Sequence, residues 1–112
     1  MEMNPRIVTD AELEKALSWL RDNAQEMGDA KKRTVLANNM LRHIKALEMK
    51  KHGGPVSAQE REAYASDAYQ RALYEDAVAA GEYEKMKSLR EAAALKIETW
   101  RSEQANFRSM KI

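Results

Sequence analysis

Few side chains in this sequence could do chemistry. His43 and His52 are nine residues apart, which misses the i, i+4 spacing that lets two imidazoles share one metal on a helix, and no Glu-x-x-His pair accompanies them. Cys is absent, so thiolate ligands, disulfides and cysteine nucleophiles are excluded together. The acids Glu75-Asp76 and Glu82/Glu84 have the arrangement of helix-surface charges rather than of an acid–base dyad. The serines stand in cap-like or exposed contexts with no nearby His to act as their base. Gly53-Gly54 is too short to cradle a phosphate and lacks the Gly-x-x-x-x-Gly-Lys frame. These residues predict no catalysis, no metal and no cofactor, and they leave charge and shape as the means of function.

Charge is where the chain is informative. The net charge is only +1, but it is distributed in blocks of alternating sign. Residues 1–30 carry 3 basic and 7 acidic side chains, and residues 57–84 carry 2 basic and 7 acidic. Between them, residues 31–56 hold Lys31, Lys32, Arg33, Arg42, Lys45, Lys50 and Lys51 against Glu48 alone. Residues 85–112 hold seven cations against three Glu. On a helical wheel Lys31, Asn38, Arg42, Lys45 and His52 cluster, and Leu36, Met40, Ile44 and Leu47 lie on the other side. One face is expected to pack while the other presents cations at helical-turn intervals, a pattern suited to a phosphate backbone. The same pattern also suits a solvated face, or one that pairs with an acidic block of a neighbouring subunit.

In the last block Arg90, Arg101 and Arg108 fall on one line beside Ile97, Trp100 and Phe107. Arginine next to an exposed ring can hold single-stranded nucleic acid, by phosphate contact and base stacking. Heptad spacing favours the other reading, in which Met86, Leu89, Ile97, Trp100 and Phe107 are core or an oligomer seam with arginines at its edge. Tyr64, Tyr69 and Tyr74 lie in the acidic block and are expected to pack an elbow around Ser66.

The elements that must carry these groups are helices. Ala, Glu, Lys, Leu and Arg supply 59 of 112 residues, four Gly and two Pro leave little for turns, and β-branched residues are sparse. Large aliphatics number 17, so a monomeric core would be thin. Residues 1–8 have no helical period and read as an extended N-terminal arm around Pro5. Thr9-Asp10-Ala11-Glu12 and Ser57-Ala58-Gln59-Glu60 are capping boxes, and Ser66-Asp67 offers a third start. Gly28 marks either a break or a flexible point, and Gly53-Gly54-Pro55 a stop. The reading is an all-α single domain over residues 9–112, with helices at about 10–27, 29–52, 58–65 and 67–108. They form an elongated helical hairpin whose long C-terminal helix self-associates through coiled-coil-like seams. No apolar run reaches the ~18 residues of a membrane span, so the expected setting is soluble and cytoplasmic, with no membrane partner.

The order of these features also carries a resemblance. A basic helix, a short Gly turn, an acidic restart at Ala65-Ser66-Asp67-Ala68-Tyr69 and a long helix through Ile97-Glu98-Thr99-Trp100-Arg101 follow one another over residues 29–112. In that order and spacing the chain resembles small helical phage proteins of recombination modules and, more distantly, the UvsY-type recombination mediators. The resemblance implies binding of single-stranded DNA, homo-oligomers, and help in loading a recombinase or annealing protein, with a recombinase or single-strand-binding protein as partner, in the cytoplasm of an infected bacterial host. It would place DNA on Lys31, Arg42, Lys45, Lys50 and Lys51 and subunit contacts on Ile97, Trp100 and Phe107. The acidic helix over residues 10–27 and the short tail depart from that pattern. Two other classes fit the same residues. One is a helical adaptor or inhibitor that binds a host protein, and the other is a structural coiled-coil subunit whose charge blocks set antiparallel register.

Overall fold

The structure, a computed structural model, describes residues 6–110. Four helices account for most of them: α1 (Asp10–Asp22), α2 (Ala24–Met49), α3 (Val56–Ala65) and α4 (Asp67–Met110). No strand occurs among the described residues, so the chain is all-α with one long C-terminal helix. None of the helices is long and apolar enough to cross a membrane. Residues 1–5 of the expected arm lie outside the described part.

Local chemistry explains most of the boundaries. Thr9 is extended at ψ 164°, and its Oγ1 accepts from the Glu12 backbone N–H at 3.1 Å, so the first cap forms as the sequence predicts. The interruption between α1 and α2 falls at Asn23 rather than at Gly28, which lies within α2. Both the Asn23 backbone N–H and its Nδ2 donate to the Trp19 carbonyl, at 2.9 and 3.0 Å. An Asn side chain competes for backbone groups in this way, whereas one Gly costs a helix only about 1 kcal/mol. After α2 the chain turns through Gly54 at φ 90°, a left-handed conformation that suits glycine. Here Pro55, not Ser57, occupies the N-cap of α3, and Gln59 Nε2 donates back to the Gly54 carbonyl at 3.1 Å. Ser66 ends α3 and starts α4. Its hydroxyl donates to the Ala63 carbonyl at 2.7 Å and accepts from the Tyr69 N–H at 3.2 Å.

The chain divides into two compact units, Met27–Lys85 and the pair Met1–Glu26 with Met86–Ile112. In the first, a heptad line on α2 runs Met27, Ala30, Thr34, Ala37, Leu41, Ile44 and Glu48, all buried or half-buried. The α4 line is Tyr69, Ala72, Asp76, Ala79 and Tyr83, again buried or half-buried. Alanine at alternate positions of both lines lets two antiparallel helices pack closely at little side-chain entropy cost. This corrects the expected packing face of α2. Leu36, Met40 and Leu47 are exposed, Leu36 at 58%, and only Ile44 of that group turns inward. The α3–α4 corner closes over Ala63, with Tyr64 and Tyr69 edge to face at 5.2 Å. Tyr74 takes no part in that elbow and is 72% exposed.

The second unit uses the same device on a shorter scale. Ala16 on α1 and Ala93 on α4 are buried, while Leu13, Leu20, Met86 and Ile97 are half-buried around them. Residues 6–9 are tied down rather than loose. The Glu103 carboxylate accepts from two successive backbone N–H groups, Ile7 and Val8, both at 3.0 Å. That grip seats the Val8 side chain among the buried residues. Arg6 lies 5.4 Å over the Phe107 ring and pairs with Asp10 at 3.0 Å, and Asp10 also accepts from Trp100 Nε1 at 2.9 Å.

Candidate nucleic-acid interface

All seven cations predicted to face a polyanion lie on α2 or in the turn just after it, and they divide by what surrounds them. Lys31 stands 4.8 Å over the Tyr83 ring, and Arg33 faces Glu82 at 3.7 Å, so both meet the acidic first part of α4. Lys45 is half-buried between Glu60 at 3.6 Å and the Tyr64 ring at 4.7 Å. The Tyr64 phenol beside its ammonium, with Glu60 behind it, holds the Lys45 pKa above the usual lysine value despite partial burial. Lys51 is paired with Glu48, the buried acid of the α2 core line, which is 7% exposed. Glu48 Oε2 is sealed from solvent and has the Lys51 ammonium as its contact rather than a well-directed hydrogen bond. Lys51 holds the Glu48 carboxyl below its ordinary range against the cost of burial, and Ser66 and His52 act in the same direction. Lys51 therefore serves the α2 terminus as much as any ligand.

Lys32, Arg42 and Lys50 remain. All three are exposed, and none has an ion pair with another described residue. They lie on the side of α2 turned away from the alanine line, together with Val35, Asn39 and Ala46. From Ala30 through Leu47 α2 contains no acidic residue. An open groove of about 350 Å³ runs beside this face, lined by Thr34, Val35, Asn38, Asn39, Asp76 and Ala80, and its amides could meet base or sugar edges. The arrangement can neutralise phosphates at helical-turn spacing with no enclosed pocket, which suits a sequence-independent contact.

The predicted secondary contacts and seam lie on the last part of α4. Arg101 pairs with Glu98 at 3.2 Å, and Arg90 and Arg108 are exposed. Met86, Ile97, Trp100 and Phe107 are half-buried against their own unit, Trp100 bonded to Asp10 and Phe107 beneath Arg6, whereas Leu89 is exposed. The two rings are therefore engaged within the chain. The roles of Glu103, which accepts from two backbone N–H groups, and of Glu48, buried beside Lys51, are not legible in the sequence, because each looks like any helix-surface Glu in one dimension. Among the described residues no group of three His, Asp or Glu converges as a metal site. No family model, curated protein or solved structure matches the chain.

Proposed function

We propose that the chain is a non-catalytic, phage-type accessory protein of DNA recombination that binds single-stranded DNA on the outward face of α2. The observation that carries this reading is the exposed set of Lys32 and Arg42 on α2 and Lys50 in the turn just after it, on a helix that contains no acid from Ala30 through Leu47. Those cations would neutralise phosphates and release counterions, giving salt-sensitive binding without base readout. Lys31, Arg33, Lys45 and Lys51 would support the field from their intramolecular sites, and Arg90, Arg101 and Arg108 would be secondary contacts. Self-association would multiply weak contacts into useful avidity, and the complex would help load a recombinase or annealing protein in an infected bacterial cytoplasm. The test is fluorescence anisotropy of a labelled ~30-nucleotide strand, where binding weakens tenfold or more between about 50 and 200 mM salt. Absence of binding at tens of micromolar folded protein overturns the reading.

A second reading has its own observation. The exposed stripe Leu36, Met40 and Leu47 is the kind of surface on which a helical adaptor or inhibitor would seat a protein partner. Such a partner would stay bound in added salt and would not be displaced by oligonucleotide.

A further inference from the structure

The groove beside the cations of α2 holds a carboxylate that the fold does not use. It lies between α2 and the first part of α4, has a volume of about 350 Å³, and is lined by Thr34, Val35, Asn38, Asn39, Asp76 and Ala80. Asp76 stands on the inward line of α4, between Ala72 and Ala79, and is half-buried. A partly buried acid costs free energy unless something bonds to it. Other acids of this unit are answered: Glu82 by Arg33, Glu60 by Lys45 and Glu48 by Lys51. Asp76 has neither an ion pair nor a side-chain hydrogen bond with another described residue. Lys32 lies one turn before Val35 and Arg42 one turn after Asn39, both on the groove side of the outward face. These two cations are roughly 15 Å apart along the axis at 1.5 Å per residue, one at each end of the groove. Glu84, one turn beyond Ala80 on α4, does not line it.

We infer that this groove reads bases of the bound strand and favours guanine. The inference rests on the proposed function and adds a specificity to it. A carboxylate offers acceptors only, so its ligand must bring donors. Within a DNA strand the phosphodiesters and deoxyriboses have none, and every donor is a base N–H. Single strands leave the Watson–Crick edge free to be read. Guanine presents N1–H and an N2 amino group side by side on that edge, a match for the two oxygens of one carboxylate. Thymine sets its single N3–H between two carbonyls, which a carboxylate repels. Adenine and cytosine offer one amino group beside a ring-nitrogen acceptor. The side-chain amides of Asn38 and Asn39 supply the donor that guanine O6 needs. Phosphates on Lys32 and Arg42 would hold the backbone at the two ends of the groove, and the charge of Asp76 keeps phosphate out of its middle. The cations themselves stay indifferent to sequence, and the preference comes from the groove alone.

Fluorescence anisotropy with three labelled ~30-nucleotide strands at about 50 mM salt tests it. One strand is all thymine, one has guanine at every third position, and one has adenine at those positions. The wild type should bind the guanine strand at least about fivefold more tightly than either of the others, as one bidentate base contact provides. Asp76→Ala removes the acceptor and a negative charge together. It should bring the three affinities within about twofold of one another, while affinity for the thymine strand holds or rises because a repulsive charge has gone. Asn38→Ala/Asn39→Ala changes two exposed positions and leaves the α4 line untouched. It should narrow the guanine preference with no change in far-ultraviolet circular dichroism. Equal wild-type affinity for the three strands overturns the inference and leaves the proposed function standing. A guanine preference that survives both variants overturns it too, as does a folded Asp76→Ala protein that loses all three strands alike. A folded wild type that binds no strand at tens of micromolar overturns the proposed function itself, so the two failures are told apart.

Discussion

The two units of this chain are built from the same alanine-lined helix packing and differ in how their polar groups are engaged. Around α1 and the last part of α4, several polar groups and rings are used internally, while Leu17, Leu95, Arg90 and Arg108 face solvent. Glu103 grips two backbone N–H groups, Asp10 takes the Trp100 indole, and Arg6 covers Phe107. Around α2, α3 and the first part of α4, the core line is just as regular, but Lys32, Arg42 and Lys50 and the stripe of Leu36, Met40 and Leu47 face solvent. A side chain with a specific internal partner serves the fold, and an exposed patch of one character is available for something else. This comparison is the reason the proposed binding surface lies on the α2 unit, with the α1 unit as its scaffold.

The alanine lines are the shared feature, and enlarging one gives the largest expected loss. Ala79→Leu should destabilise by about 2–3 kcal/mol in urea unfolding, because a tight helix contact cannot take the added volume. Ala80→Leu, one residue on and exposed, should stay within about 0.5 kcal/mol of wild type. Next comes the feature that distinguishes the scaffold unit. Glu103→Ala removes two charge-assisted hydrogen bonds and should cost about 2 kcal/mol, with faster amide exchange at Ile7 and Val8 as its local signature. Trp100→Phe keeps the ring's bulk but loses the bond to Asp10, for about 1 kcal/mol.

The smallest effect is a pH slope in the other unit. Glu48 has a lowered folded pKa, so its contribution is present above the ordinary carboxylate pKa and is lost as pH falls through the folded value. Wild type should lose stability on acidification more than Glu48→Gln does in parallel urea titrations. Lys45 has the opposite sign. Its folded pKa is raised, so its contribution is present below the lysine value of 10.5 and fades as pH rises through the folded value.

What could be read from the residues alone follows from how local each signal is. The Thr9 cap, the Gly54 turn and the Ser66 restart depend on neighbours a few positions away, and all three stand where the sequence places them. The core face of α2 differs from the expected one because Leu36, Met40 and Leu47 outweigh Ala30 and Ala37 on any hydrophobicity count. Which stripe is buried depends on the alanines of a helix more than thirty residues away in sequence. The basic set was visible as a charge block. Its division into engaged and exposed cations was not, since Glu60, Glu82, Tyr64 and Tyr83 reach it only through tertiary packing. Counting like charges finds a basic helix, and only the fold decides how much of its charge faces outward.

The central claim is that nucleic acid is held chiefly by α2, with the arginines on the last part of α4 only as secondary contacts. It is tested most directly by two charge reversals measured side by side for single-strand affinity at about 50 mM salt, where phosphate contacts dominate. Arg42→Glu/Lys50→Glu should weaken binding by about thirtyfold or more, as loss of two phosphate contacts and addition of two repulsive charges requires. Arg101→Glu/Arg108→Glu should change it by less than about threefold, since Arg101 is already paired with Glu98. Equal losses from the two variants, or a larger loss from the second, would contradict the account.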